Sequence, residues 1–568
     1  MSHNWLLKKI LERKKQKLTI FDRMLLGILA MGLVMIIGLI IYFLWFIFTN
    51  RSVINFLPAQ KTVAFFELED STLPPKLSQQ TLFNLTGVSA LLDKTFGLNI
   101  KDVQYHLTQG RLGFALIKEK EDGGNLVLFF RTKSKSDTLK YFQSLGLQNE
   151  KFITVGEKKD IIYMYPQSHS FAFSFIGPYF FLSQNIESLK NIQSVYQKKE
   201  TSLYEDIEYQ KSLANLPRTA WGQGYLNVKL LSFPDNNPLN LLTDPLKTII
   251  NHFALAIRKQ QNGFHFNTLL SINPSLLSLN KGYTDSTRFA YSLADYIGSK
   301  NLAVYIGGAN LSDEWQNTLE TISNLNPAYG IIMEGILRAR VSKVFGDKVD
   351  LRNDIYPLFD NEYAVAFERI PHVSSANNSE TYTLGVKLIL KNDDRNFANT
   401  KLEKLLEGFK MLAAQFAPKL KVFTLPDGTE SKELVADTTR LQENKETYKD
   451  YEIDCLVVEE TSYGFCYTAT DQLIVISNNA DSIKETIDLS VSPKFVLSQS
   501  QSFRKALSNL SAISDEITFV SLDNLRSLIK DTKFGPTADN LFASFDAVAW
   551  IKHYFSDGVS TEGYLLLK

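Results

Sequence analysis

Cysteine is almost missing from this sequence, with two residues, Cys455 and Cys466, in 568. That excludes a disulfide-scaffolded module, and neither cysteine follows the apolar N-terminal run where a lipoprotein cysteine would sit. Histidine is sparse too, seven residues without an H-x-x-x-H pair or a Cys-His cluster, so no zinc or iron site is expected. There is no excess of one charge, since Lys plus Arg and Asp plus Glu number 61 each. Residues 1–23 hold seven of the cations and two of the anions, which leaves about −5 for the remainder and no basic surface for nucleic acid. The G-x-S-x-G elbow, the G-x-x-x-x-G-K-[ST] loop and the H-E-x-x-H motif are absent as well. Gly307-Gly308 follows a strand-like run without the third glycine of a dinucleotide fingerprint, and is read as a turn or bulge. No catalytic, cofactor-binding or metal-ligating residue is expected, and no cofactor.

What is present begins with Met24–Phe48, an apolar run free of charge and proline. At about 1.5 Å of rise per residue a helix of this length crosses the ~30 Å hydrocarbon layer. It exceeds the ~7–15 residues of a signal-peptide core, and its exit, Phe48-Thr49-Asn50-Arg51, offers no A-x-A-like cleavage site, so it reads as a retained, single-pass signal-anchor. The cations that precede it place residues 1–23 in the cytoplasm, against anionic lipid headgroups, and the bulk of the chain outside.

The extracytoplasmic part reads as α+β. Thr62–Leu68 is strand-like; Leu82, Leu85, Val88, Leu91 and Leu92 fall at helical spacing before Gly97. Leu112–Ile117 and Leu126–Phe130 flank Gly123-Gly124 as a hairpin, and a helix is expected near Thr138–Leu145. Strands at Ile161–Tyr165, Phe171–Phe175 and Tyr179–Leu182, helices from about Ser188 and Tyr209, and a strand at Tyr225–Val228 come next. Asn262-Gly263 reads as a type I′ turn between two further strands. The same order then returns. Asn301–Ile306 answers Lys61–Phe66, Tyr363–Phe367 answers Leu112–Leu116, and a constant offset of 294 aligns Asp454 with Asp160, Phe465 with Phe171, Ser477 with Ser183, Asn479 with Asn185 and Lys505 with Lys211. An internal repeat of this length implies duplication. The expected architecture is a basic tail (1–23), a transmembrane helix (24–48), a linker (49–56), α+β repeat 1 (57–275), a linker (276–296) and α+β repeat 2 (297–568). The two homologous tandem domains are each expected to be a mostly antiparallel sheet covered on one face by helices.

Three stretches, FLPAQKTVAFFEL from Phe56, GRLGFAL from Gly110 and SFIGPYFFLSQNIESLKNI from Ser174, resemble the bacterial envelope family known as domain of unknown function 3352. The resemblance implies a membrane-anchored bacterial protein and supplies no reaction and no residue roles.

Ser502-Phe503-Arg504-Lys505 is an S-x-x-K, yet its partner stretch Glu208-Tyr209-Gln210-Lys211 lacks the serine and no S-D-N or K-T-G accompanies it, so Ser502 reads as a helix-start residue. Cys455 and Cys466 flank a hairpin whose turn at Glu460-Thr461 sets them opposite each other; bridged and free thiols both remain open. Residues 395–450 hold about 34 residues more than the first copy. Leu402, Leu405, Leu406, Phe409, Leu412, Ala413 and Phe416 form a helical stripe there, expected to pack on its own sheet, and the charged stretch beyond it is a candidate contact surface. The reading is a non-catalytic, membrane-tethered binding or structural module of the cell envelope whose candidate partner is another envelope protein. The alternatives are a carrier holding a lipid-like ligand in a Phe-lined cavity and an envelope serine hydrolase acting through Ser502.

Overall fold

The computed structural model describes residues 52–69, 108–120, 123–144, 153–155, 161–164, 171–217, 220–231, 247–273, 291–325, 327–373, 380–415, 418–458, 464–511, 515–530, 542–555 and 558–568. The basic tail, the apolar run Met24–Phe48 and the helical spacing from Leu82 to Leu92 lie outside them. Among the described residues no helix is long and apolar enough to cross a membrane.

In the first half β1 (Thr62–Glu69), β2 (Thr108–Lys120) and β3 (Gly123–Thr132) precede α1 (Lys135–Ser144). The short strands β4 (Ile153–Val155), β5 (Ile162–Met164), β6 (Ala172–Ile176) and β7 (Tyr179–Ser183) follow. Then come α2 (Ile186–Tyr196), α3 (Ile207–Ala214), β8 (Gly222–Asn227) and the hairpin β9 (Ile250–Gln260) with β10 (Gly263–Ile272). The second half opens with β11 (Leu302–Ala309), α4 (Leu311–Leu325), α5 (Pro327–Phe345), β12 (Glu362–Val373), β13 (Glu380–Lys391) and α6 (Arg395–Gln415). A separate hairpin, β14 (Lys419–Thr424) with β15 (Glu430–Val435), leads to β16 (Leu441–Tyr448), β17 (Tyr451–Val458), β18 (Gly464–Ala469) and β19 (Leu473–Ser477). The half closes with α7 (Ala480–Val491), α8 (Gln501–Leu507), β20 (Glu516–Ser521), α9 (Leu522–Ile529), β21 (Phe545–Phe555) and β22 (Gly558–Leu567).

Among the described residues all strands but β14 and β15 join one antiparallel sheet of 20, whose order reads alike from its two edges. From one side it runs β4-β5-β6-β7-β3-β2-β1-β8-β9-β10, and from the other β16-β17-β18-β19-β13-β12-β11-β20-β21-β22. Even irregularities recur: β1 slips between Thr62 and Ala64 against β2, and β11 between Leu302 and Val304 against β12. Asn185 and Asn479 each cap a helix by accepting from the backbone N–H two residues on, and Ser183 and Ser477 each bond the preceding sheet and that capping asparagine. The halves meet where β10 pairs with β22, from Gly263↔Leu566 to Ser271↔Gly558, centred on Asn267↔Glu562.

Several expectations need correction. Residues 52–56 and 291–296 are not linkers, because Val53, Ile54, Phe56, Leu293 and Ala294 are buried in the cores. Helices cover both faces of each half rather than one. In β7, Phe181 packs in the core with Leu189 and Ile192 of α2, while Phe180 packs with Phe142 of α1, which is why this strand reads as a continuous apolar run. Gly307-Gly308 lies within β11, paired on both sides, and is neither turn nor bulge. The β9–β10 loop is Gln261-Asn262 with no positive φ, so it is not type I′; that backbone occurs at Lys449-Asp450, where φ is 48° and 69°. Asp454 faces Tyr467 as Tyr163 faces Phe173, so the pairing moves the equivalent of Asp454 from Asp160 to Tyr163.

Cys455 and Cys466 face each other across β17 and β18 with Cα atoms 4.0 Å apart and are disulfide-bonded. Met164 and Ala172 occupy the matching pair in the first half, so the fold forms there without a bridge. Closing so short a loop should stabilise by about 2 kcal/mol, because a short loop removes little entropy from the unfolded chain. Reductant should lower the urea midpoint of wild type by that equivalent and leave Cys455→Ala/Cys466→Ala unchanged; an identical midpoint with and without reductant would contradict this.

In the extra segment, Leu402, Leu405, Leu406 and Ala413 of α6 are buried against β17 and β18, so the stripe is core as expected; Phe416 lies outside the described residues. The charged stretch from Asp437 to Asp450 does not form a separate projection. Most of it is β16, the last strand of the sheet, and the hairpin β14–β15 is what stands apart.

Candidate functional site

Ser502 lies in the first turn of α8, where its Oγ donates to Asp546 Oδ2 at 2.6 Å, so the hydroxyl is engaged by a carboxylate. In the first half Lys211 pairs with Glu208, the residue at the place of Ser502, at 3.1 Å. The phenylalanines that the carrier alternative places around a cavity pack against one another in the first half. Phe142, Phe173 and Phe180 stack on one another with ring centroids 4.9 to 5.3 Å apart.

A polar centre that the sequence reading did not single out lies on β1, β2 and β8. Glu67 is buried, and its Oε1 accepts from Arg111 Nη1 at 2.5 Å and from Gln223 Nε2 at 3.0 Å. Three strands bring these groups together, because Glu67 faces Gly113 on one side and Gln223 on the other. Burial pushes the Glu67 carboxyl above the usual carboxylate range, while Arg111 and Gln223 pull it back. Beside the pair lies a groove of about 1040 Å³, lined by the apolar Ile54, Leu213, Pro217 and Ala220 and by Glu69, Arg111, Trp221, Gln223, Arg258 and Lys259. That size suits a small-molecule site.

Arg258 connects the groove to the seam between the halves. Its Nη2 lies 3.1 Å from His265 Nδ1, and His265 Nε2 lies 2.7 Å from Glu562 Oε1. Arginine only donates, so Nδ1 accepts and the Nε2–H donates to Glu562. Burial works to raise the Glu562 carboxyl, but hydrogen bonds from His265 and Ser511 prevail and hold it at about 2. A neighbouring depression of about 1100 Å³ is a weaker candidate, because its Lys61 is already held by Asn191 and Glu200, each at 2.9 Å.

The second half serves as an internal control. The same ladder positions carry Gly307 for Glu67, Glu362 for Arg111, Ile517 for Gln223 and His553 for Arg258. The fold therefore does not require the Glu67–Arg111 pair. Two signals could have exposed the site: Glu67 sits on the core face of an apolar strand in step with Phe65, and the repeat replaces it with glycine. Among the described residues no three His, Cys, Asp or Glu side chains converge as a metal site.

A family model described as a protein of unknown function, DUF3352, matches residues 115–415. No curated protein matches the sequence. Among solved structures, crystal form III of TP0453 is similar over 39% of this chain and 81% of its own at 9% identity and a TM-score of 0.25. Crystal form IV of the same protein is similar over 41% and 85% at 10% identity and a TM-score of 0.24. Likeness at that level carries no argument about fold or function.

Proposed function

The chain belongs to the DUF3352 family, and we propose that it is a non-catalytic binding module, tethered to a bacterial membrane by Met24–Phe48 and exposed outside the cytoplasm. The observation that carries the binding part is the groove beside Glu67 and Arg111, residues whose places Gly307 and Glu362 take in the other half. The tether rests on the length of the apolar run and the cations before it, and the Cys455–Cys466 bridge suits an oxidising compartment. The mirrored strand order supports two homologous tandem domains, fused through β10 and β22. A second reading, a carrier of a lipid-like ligand, draws on the apolar residues Ile54, Leu213 and Pro217 in the lining of the same groove. The hydrolase reading has less support, since Ser502 Oγ donates to Asp546 and not to Lys505, the lysine of the S-x-x-K motif.

The tether is tested by topology. A reporter active only outside the cytoplasm, fused after Lys568, should be active, and the same reporter placed before Met24 inactive. The opposite pattern would end the envelope reading.

A further inference from the structure

The groove of the first half has hydrogen-bond donors without acceptors. Trp221 is only 9% exposed and its Nε1–H has no partner among the described residues. Arg258 Nε–H is also buried and without a partner among them. Both side chains line the groove, as does Arg111. Buried donors left unsatisfied are costly, and a site that accumulates them beside guanidinium groups is complementary to an acceptor carrying negative charge. Ile54, Leu213 and Pro217 in the same lining suit an apolar body, and Glu69 is its one carboxylate against the cations Arg111, Arg258 and Lys259. In the second half Glu362 and His553 stand at the places of the two arginines, and the Glu362 carboxylate accepts from Leu293 N–H and Ser292 Oγ, so the arginine donors have no counterpart there.

We propose that the groove beside Trp221, Arg111 and Arg258 binds a small amphiphilic oxyanion, a carboxylate or phosphate attached to an apolar chain, with the oxyanion on the donors and the chain against Ile54 and Leu213. This deepens the binding-module reading and rests on it. Because Arg258 also holds His265 and through it Glu562 on β22, the ligand would sit one residue from the seam between the halves.

The test uses the full chain in nanodiscs of zwitterionic lipid, titrated calorimetrically with octanoate and with octyl phosphate, and with octylammonium, acetate and inorganic phosphate for comparison. Partition into lipid is common to wild type and variants and subtracts out. Saturable binding is expected for one or both octyl anions, which decides between carboxylate and phosphate. It should be at least 10-fold weaker for acetate and inorganic phosphate and absent for octylammonium. Trp221→Phe removes one N–H while keeping the ring and should weaken binding about 10-fold; Arg258→Gln should weaken it further. Glu362→Gln in the second half should change nothing. If Arg258→Gln fails to fold, Trp221→Phe alone decides. Equal affinity in wild type and Trp221→Phe, equal binding of octylammonium, or no saturable binding of either octyl anion would overturn the assignment. Such a failure leaves the topology result standing, so loss of the ligand and loss of the tethered reading are separable.

Discussion

Lys387→Met should destabilise the protein by about 3–5 kcal/mol, because it strands a buried carboxylate. Lys387 is fully buried, and its Nζ lies 2.9 Å from Glu368 Oε1 and 3.1 Å from Glu485 Oε2. Glu368 is itself 4% exposed and accepts from Ser482 Oγ at 3.2 Å. Glu368→Gln should cost a similar amount from the other side, since only the half-exposed Glu485 would then face the ammonium. The first half shows what the fold tolerates when both charges go: Val127 stands at the position of Lys387 and Ile117 at that of Glu368, both fully buried. The double variant Lys387→Val/Glu368→Ile should therefore recover most of the loss seen in either single variant. Proton linkage gives a second readout. Burial alone would lower the Lys387 pKa, but Glu368 and Glu485 outweigh it and the net shift is upward. A raised lysine pKa contributes stability that is complete below the unfolded value near 10.4 and is lost as pH rises through the higher folded value. Wild type should lose this increment only in strong alkali, and the double variant should lack it. A single variant within 1 kcal/mol of wild type in urea titration would refute the pair's role.

Much of the architecture was legible because it is local. Strands such as Thr62–Glu69 and hairpins such as β6–β7 declare themselves by apolar runs and turn residues, and the duplicated order follows from matching those signals. Non-local features were not legible. Val53, Ile54 and Phe56 are too few to show a period, so their burial under α2 and α3 looks like linker in the sequence. The seam between β10 and β22 joins residues almost 300 apart, and no local pattern specifies which edge strand a hairpin will meet. The three-residue shift that moves Asp454 opposite Tyr467 arises from unequal hairpin loops, which a gapless alignment cannot register. The groove was hidden for the same reason. Arg111 and Gln223 are 44 and 156 residues from Glu67, and only the pairing of β2, β1 and β8 assembles them. Where the two halves agree, the sequence reports packing; where they differ, at Glu67 and at Lys387, it reports something the packing does not demand.

Phe142→Ala should cost about 3–5 kcal/mol, and the size of that loss decides what the abundant phenylalanines are for. The ring is fully buried on α1, with centroids of Phe180 at 4.9 Å, Phe173 at 5.3 Å and Phe171 at 6.4 Å. Those neighbours stand on β6 and β7 or beside them, so removing one ring leaves a void bounded by strands that cannot close inward without breaking ladder hydrogen bonds. The second half gives a graded comparison, because Phe409 of α6 packs at 5.3 Å on Phe465 but is half-buried, and Phe409→Ala should cost only about 2 kcal/mol. If the aromatic cluster instead lined a cavity for a hydrophobic ligand, deleting one ring would enlarge an existing space, and the unliganded protein would lose less than about 1 kcal/mol. Benzene makes the distinction independent of stability. A dry apolar void created by Phe142→Ala should take up benzene, as engineered cavities of comparable lining do, and regain part of the lost stability in proportion to its concentration. Wild type, with the stack intact, should show no such rise. A benzene-dependent rise in wild type would instead reveal a preformed cavity among these rings and return the carrier reading to the first half's aromatic core.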